Sequence, residues 1–391
     1  MRSVQEIDVT GKRVFVRVDY NLPMDEQGKI TDDNRIRQTL DLIAYLQDRQ
    51  AKIILASHLG RPKNGYEKRF SLAPVAEHLS ALLKKKVMFA PDCIGSPVTD
   101  QVAAMENGDI LLLENLRFHK EEKSNDPGFA RKLAGLCDVY VNNAFAVSHR
   151  DQASVTGMVA HVPEAGAGFL LEREMNAYAD AFEKPKRPLV AVIGGAKVSS
   201  KLAALENMLN TVDQMIIGGA MANTFLLSQG IDTKASLIEP DLKDTAARIL
   251  NKAQEKRIAV HLPEDLVVAD SFAQTAQTKT VALNAVPDGW MIMDIGPKTA
   301  ETFMRNLAGA KTIVWNGPMG VFEMPGFMAG TCAVARGIAD ADAFSFVGGG
   351  DTGLAARQCN VFDQVSYVST GGGAFLHLME GKPLPGVVAL G

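Results

Sequence analysis

Phe344-Ser345-Phe346-Val347-Gly348-Gly349-Gly350-Asp351-Thr352-Gly353 carries an apolar, strand-like run straight into three glycines, then an acid and a hydroxyl residue. Bare glycine amides let an anion approach the backbone closely. A helix opening at that point adds unsatisfied N–H groups and a positive dipole end, and Asp351 offers a carboxylate to a divalent ion. The stretch reads as a phosphate- and Mg²⁺-binding turn at the end of a parallel strand. Its letters also satisfy G-x-G-x-x-G through Gly348, Gly350 and Gly353, so a dinucleotide-binding turn is the competing reading.

Working outward, apolar runs of strand length alternate with helical patterns along the whole chain, the sequence form of repeated βαβ units and an α/β fold with parallel sheets. An N-terminal series comprises 13–18, 52–56, 87–90, 110–113 and 139–141, with helices expected near 34–49, 71–84 and 129–136. A second series comprises 189–193, 214–217, 258–261, 291–294, 312–315, 344–347 and 365–368, with helices near 198–210, 241–256, 298–307 and 327–339. Between them, Gly166–Gly168 leads into a helical pattern over 169–182, which Lys184-Pro185-Lys186-Arg187-Pro188 then ends. That helix reads as a connector between two domains, and 391 residues is the length of two ordinary cores.

Composition narrows the function classes. Hydrophobic residues make up 47% and charged residues 22%, the balance of a folded globular chain. No run reaches membrane-spanning length and the N-terminus lacks a signal-peptide core, so a cytoplasmic protein without a membrane partner is expected. Cys93, Cys137, Cys332 and Cys359 are scattered without a C-x-x-C pair, which argues against disulfide and zinc frameworks. A net charge of −4 removes any bulk attraction to nucleic acid.

In open parallel sheets ligands sit beyond the carboxyl ends of strands. After the N-terminal strands come Asp19-Tyr20-Asn21, Ser57-His58-Leu59-Gly60-Arg61, Glu114-Asn115-Leu116-Arg117 and Asn142 through Ser148-His149-Arg150. With Arg35, these supply four arginines and two histidines to one edge. A surface salt bridge would explain any single one, but their repetition at equivalent strand ends points to a small, multiply charged anion.

After the C-terminal strands come Gly194-Gly195-Ala196-Lys197, Gly218-Gly219-Ala220, Asn316-Gly317-Pro318-Met319-Gly320, Gly348-Gly349-Gly350-Asp351 and Gly371-Gly372-Gly373. Tight turns alone would explain each; five on one edge imply a long anionic ligand such as a nucleotide. Lys197 and Lys201, one helical turn apart, would face its phosphates, Asp351 its metal and Glu323 its sugar. The Walker spacing is absent from 194–199, and no acidic residue follows 365–368 to bind a dinucleotide ribose.

A polyanion opposite a nucleotide suggests phosphoryl transfer, where positioning and charge neutralisation dominate. No H-R-D loop or obvious Asp base accompanies the arginines, which suits a carboxylate acceptor, already ionised near pH 7. A Rossmann oxidoreductase and a non-catalytic anion-binding protein are the alternatives.

Arg17-Val18-Asp19-Tyr20-Asn21-Leu22-Pro23, Ser57-His58-Leu59-Gly60-Arg61-Pro62, Glu114-Asn115-Leu116-Arg117-Phe118, Gly194-Gly195-Ala196-Lys197-Val198, Trp315-Asn316-Gly317-Pro318-Met319-Gly320-Val321-Phe322-Glu323 and Gly348-Gly349-Gly350-Asp351-Thr352 resemble the signatures of the phosphoglycerate kinase family, in its order and over nearly the whole chain. The resemblance implies reversible transfer of phosphate between 1,3-bisphosphoglycerate and ADP, giving 3-phosphoglycerate and ATP in glycolysis, with Mg²⁺ bound alongside ADP or ATP. It implies two Rossmann-like domains facing across a cleft that closes about a hinge. These are an N-terminal 3-phosphoglycerate domain (1–168), the connector (169–182) and a nucleotide domain (183–375), with a tail (376–391) packing back on the first, in a monomer.

Carried over by motif, Asp19, Asn21, Arg35, His58, Arg61, Arg117 and Arg150 match the 3-phosphoglycerate site. Arg35, Lys197 and Gly372 match groups around the moving phosphoryl. Gly195, Lys197, Lys201, Gly219, Asn316, Glu323, Gly349, Gly350, Asp351 and Thr352 match the nucleotide site, with Asp351 its metal ligand. Two departures stand out. Asn143 replaces the family's usual acid, beside Ala146-Val147-Ser148 in place of G-T-A, and His377 stands where bacterial relatives generally carry Glu.

Overall fold

A computed structural model describes residues 1–63 and 65–391. The chain divides into two compact units, one of Met1–Met175 with Pro383–Gly391 and one of Asn176–Lys382.

The first unit is built on six strands: β1 (Arg13–Arg17), β2 (Lys52–Ala56), β3 (Met88–Phe89), β4 (Ile110–Leu112), β5 (Val139–Asn142) and β6 (Glu164–Ala167). They pair in parallel in the order β3-β4-β2-β1-β5-β6. β1 is first in sequence yet central, because the chain works outward on one side through β2 and on the other through β5. Such a switch of direction leaves a crevice at the strands' carboxyl ends. Strand β6 was not anticipated. Its Glu-Ala-Gly-Ala sequence carries no β-branched signal, and a Cβ on Gly166 would lie 2.7 Å from the Ile7 side chain, so close backbone packing is what places it.

The second unit holds β7 (Leu189–Ile193), β8 (Gln214–Ile217), β9 (Ala259–His261), β10 (Asp265–Ala269), β11 (Thr278–Ala282), β12 (Met291–Ile295), β13 (Thr312–Asn316), β14 (Phe344–Val347) and β15 (Tyr367–Val368). Six of them form a parallel sheet in the order β15-β14-β13-β7-β8-β9, with its switch point between β7 and β13. β7 is buried throughout and alternates between two cores. Leu189, Ala191 and Ile193 pack with Met215 and Phe225 on one face, and Val190 and Val192 pack with Trp315 and Phe303 on the other. Helices therefore cover both faces, as a parallel sheet requires.

Three expectations are corrected here. The 291–294 strand does not join the parallel sheet: β12 pairs antiparallel with β10, which pairs antiparallel with β11. An apolar run shows that a strand is half-buried but does not name its neighbour. The helix expected at 198–210 starts only at Leu202, so Lys197 lies in the preceding turn and Lys201 is the residue that caps the helix. The cysteines do form a disulfide. Cys332, on helix Ala329–Asp340, is bonded to Cys359 at the end of helix Gly350–Gln358, across 27 residues of chain.

Helix Phe169–Tyr178 continues as a π-helical turn over Ala179–Glu183, and the division between the units falls inside it. Residues 376–382, expected in the returning tail, group with the second unit, and the return begins at Pro383. It is tied down at Gly386, whose N–H donates to the Ser148 carbonyl at 2.8 Å and whose carbonyl accepts from Asn142 Nδ2 at 3.3 Å. Among the described residues no helix is long and apolar enough to cross a membrane.

Candidate active site

In the first unit β1, β2, β4 and β5 each deliver part of one cluster. Asp19, just past β1, pairs with the Arg35 guanidinium and lies 3.8 Å from His58 Nδ1. Asn21 Oδ1 accepts the Gly60 N–H at 2.8 Å, which fixes the turn that presents Arg61. Arg117 donates to the Gly60 carbonyl at 2.7 Å, so the loops after β2 and β4 are held against each other.

The electrostatics show what this cluster lacks. Burial first, then the charges of Arg17, Arg117, Arg150 and Arg35, hold His58 well below the ordinary imidazole range, so it is neutral at pH 7. Burial and the neighbouring Arg150 and Arg17 bring Arg117 down to about 10. Arg150 is lowered chiefly by burial, with Asp19 opposing and Arg17 and Arg61 adding to the effect. Cations that disfavour one another in this way are short of negative charge, and Arg117 Nε is buried without a hydrogen-bond partner. A bound polyanion would satisfy both deficits.

Arg17 belongs to this field although no role was expected for it. It is fully buried, donates to Ser154 Oγ at 2.8 Å and lies 3.4 Å from His58 Nδ1. Its signal in the sequence was a lone charge inside the apolar run Val14-Phe15-Val16-Arg17-Val18.

In the second unit the glycine turns after β7, β8 and β13 interlock through their backbones. Gly195 N–H donates to the Pro318 carbonyl at 3.0 Å and Met221 N–H to the Gly195 carbonyl at 2.9 Å. Gly219 (φ +68°) and Gly317 (φ +107°) must be glycine, since a Cβ would lie 2.5 Å from Gly195 N and 2.3 Å from Gly194 O respectively. Lys201 Nζ reaches beneath them to the carbonyls of Gly194 at 2.6 Å and Asn316 at 2.7 Å. Burial brings this ammonium down to about 8, with Asp351 opposing. Lys197, by contrast, is exposed in its turn.

Three helices begin beside these turns, at Gly219, Gly350 and Gly372, without side-chain caps; the first already donates its Gly219 and Met221 N–H groups to the Met319 and Gly195 carbonyls, which leaves the starts at Gly350 and Gly372 as the open ones. Gly372 is close to Gly350, whose N would lie 3.8 Å from a Cβ built there. Thr352 Oγ1 accepts the Gly317 N–H at 2.8 Å and Asn316 Nδ2 donates to the Gly348 carbonyl at 2.7 Å, joining the β13 and β14 turns. Asn316 Oδ1 is left buried without a partner. A cavity of about 320 Å³ opens beside the turns, walled by Leu237, Phe272, Met291 and Met293 and carrying Glu323 and Asp351. Apolar walls suit a flat base, and uncapped N–H groups suit phosphates.

The family model described as Phosphoglycerate kinase matches residues 4–382. The chain belongs to the phosphoglycerate kinase family. The phosphoglycerate kinase of Desulforapulum autotrophicum is 62% identical over 390 residues and that of Desulfotalea psychrophila 55%, each covering all of both chains. Among solved structures, phosphoglycerate kinase from Coxiella burnetii matches with a TM-score of 0.92 at 45% identity, over 99% of this chain and 98% of its own. That from Pyrococcus horikoshii matches with 0.85 at 34%, over 100% and 98%.

The departures at Asn143 and Ser148 from the phosphoglycerate kinase pattern have local explanations. Asn143 is fully buried, and its Oδ1 accepts the Leu170 N–H at 2.9 Å at the start of helix Phe169–Tyr178. An amide thus performs the capping that an acid could perform. Ser148 Oγ donates to the Ala144 carbonyl and accepts from Asn142 Nδ2, both at 3.1 Å, steadying the loop that carries His149 and Arg150. His377 is partly exposed on helix Gly372–Met379.

One further grouping, Asp92, Cys93 and His119, brings potential metal-ligand atoms within 4.8 Å of one another. Hydrogen bonding accounts for it. Asp92 Oδ1 accepts from the Cys93 N–H at 2.6 Å and pairs with His119 Nε2 at 2.7 Å, while burial keeps the thiol protonated.

Proposed function

We propose that the two clusters are the acceptor and nucleotide halves of one phosphoryl-transfer site. The reaction is that of the family, reversible transfer between 1,3-bisphosphoglycerate and ADP to give 3-phosphoglycerate and ATP in glycolysis, with a carboxyl group as acceptor. The observation that carries the residue assignment is the charge deficit of each half: buried arginines disfavoured first by burial and then by neighbouring arginines in one unit, and helix starts at Gly350 and Gly372 without side-chain caps around glycine turns in the other.

In this reading Asp19, Asn21, Arg35, His58, Arg61, Arg117 and Arg150 hold 3-phosphoglycerate. Gly195, Gly219, Asn316, Glu323, Gly349, Gly350 and Thr352 hold the nucleotide, with Lys201 bracing the turns beneath it. In the forward direction an oxygen of ADP's terminal phosphate attacks the acyl phosphorus, and the P–O bond to the carboxyl group breaks. 3-Phosphoglycerate leaves as an ionised carboxylate, so no general base is needed. Arg35, Lys197 and the N–H groups at Gly372 surround the phosphoryl group and take up its charge.

Asp351 fits an Mg²⁺ ion. It is one exposed carboxylate at a phosphate turn, and Mg²⁺ is ordinarily held by one or two carboxylates, substrate phosphates and water. When bound, the ion would screen the phosphate charge. The acceptor arginines and the phosphate turns belong to different units, and in-line transfer needs reacting atoms about 3–3.5 Å apart, so in this reading the reaction proceeds by hinge closure. The remaining partners are small molecules only, and the protein acts as a cytoplasmic monomer.

A coupled assay with 3-phosphoglycerate and Mg-ATP tests the reading. ADP formation that depends on 3-phosphoglycerate is the expected result. Anion binding without turnover, or a nicotinamide-dependent absorbance change instead, would replace it.

A further inference from the structure

Asp294 is a buried carboxylate that the transfer chemistry does not use. It lies near the end of β12, is 2% exposed, and belongs to the wall of the 320 Å³ cavity. One oxygen, Oδ2, accepts the Gly330 N–H at 2.7 Å, and the other, Oδ1, accepts the Ile295 N–H at 2.9 Å. No cation is paired with it among the described residues. Burial pushes it up to about 7, with the two amide bonds only partly offsetting the loss of water. A neutral side chain would be cheaper to bury, so stability alone does not account for an acid here.

Its surroundings indicate what it holds. A Cβ on Gly320 would lie 2.2 Å from Asp294 Oδ1, and one on Gly330 2.5 Å from the same oxygen. The carboxylate is therefore pressed between the turn after β13 and the start of helix Ala329–Asp340. Thr331 Oγ1 accepts the N–H groups of Met319 and Gly320 at 3.0 and 3.2 Å. Val321 N–H donates to the Met293 carbonyl at 2.9 Å, directly beside Asp294. The same turn continues to Phe322 and Glu323, both in the cavity wall.

We propose that Asp294 is a positioning residue for the nucleotide: by holding the Gly330 N–H at the start of helix Ala329–Asp340 and packing against Gly320, it fixes the helix start whose Thr331 hydroxyl holds the Asn316–Glu323 turn, and so sets where that turn presents its backbone and Glu323 to the ligand. This rests on the reading that the cavity holds the nucleotide. Its consequence is selective, because the turn lies in the second unit and the acceptor site in the first.

The test uses Asp294→Ala and Asp294→Asn in the full chain. The Ala variant should raise KM for Mg-ATP by about tenfold, the scale of a sub-ångström misplacement of a binding group, with KM for 3-phosphoglycerate and kcat at saturating nucleotide within about twofold. The Asn variant keeps the shape and one acceptor but turns an amide NH₂ toward one of the two backbone donors, so it should recover only part of that loss and melt somewhat lower than the parent. Unchanged KM for nucleotide, or a proportional loss of kcat and of both affinities with a lowered melting temperature, overturns the proposal. If Asp294→Ala does not fold, a selective rise of about threefold in KM for Mg-ATP in Asp294→Asn, with KM for 3-phosphoglycerate unchanged, carries the comparison, and an unchanged KM for Mg-ATP in that variant overturns the proposal. Calorimetric titration with Mg-ADP reads the same weakening without turnover, so failure of the parent in the coupled assay would refute the functional reading and still leave this inference decided.

Discussion

Lys197 and Lys201 are four residues apart and do different work. Lys197 is exposed in the turn after β7, free to follow a phosphoryl group, whereas Lys201 is spent on two carbonyls beneath the turns. Lys197→Ala should therefore lower kcat by about 10²–10³ with a smaller effect on nucleotide affinity, and steady-state kinetics in both directions would read it. Unchanged kcat with raised KM would remove it from the transition state. Lys201 makes a pH prediction. Its ammonium is held near 8 by burial, and an arriving polyphosphate would raise that value. Binding of Mg-ADP near pH 8–9 should then take up a proton, and affinity should fall as pH rises through about 8. Calorimetry in buffers of differing ionisation enthalpy measures the uptake, which Lys201→Met should abolish.

At the scale of elements, the second unit places two helices so that a covalent bond joins them. Helix Gly350–Gln358 begins at the Gly348–Gly350 turn and ends beside Cys359, which is tied to Cys332 on helix Ala329–Asp340. Closing a loop of 27 residues restrains the unfolded chain by about 3–4 kcal/mol on the entropic account. Cys332→Ser should lower the urea midpoint of the second unit under oxidising conditions. A dithiol should lower the parent's midpoint similarly and leave the variant unaffected. Equal midpoints for all four samples would mean that the crosslink restrains little.

For the whole molecule, the division of labour between units makes closure the step to measure. On the proposed assignment each ligand alone contacts groups of one unit, so each should bias closure weakly. Under the same proposal both together should gain interactions that neither makes alone, and closure should be cooperative between them. The radius of gyration from small-angle scattering should fall most with 3-phosphoglycerate and Mg-nucleotide both present. Phe169–Tyr178 and the π turn after it are expected among the segments that absorb the motion. Identical radii for the free and doubly liganded protein would count against a hinge.

Much of this architecture was legible because its signals are local. Leu189–Ile193 and Phe344–Val347 read as strands from their own apolar runs, and Gly194-Gly195-Ala196-Lys197 and Gly348-Gly349-Gly350-Asp351 read as turns from their own glycines, in an order particular to one family. What the tertiary structure decided depends on neighbours distant in the chain. Met291–Ile295 is apolar wherever it pairs, and only β10 makes it antiparallel. Cys332 and Cys359 became partners because two helices pack side by side. His58, Lys201 and Asp294 carry ordinary side chains whose charge states are set by the water that folding removes and by the charges it gathers around them. Periodicity and turn propensity act over a few residues and so are written in the sequence, while pairing partners, burial and desolvation belong to the assembled core.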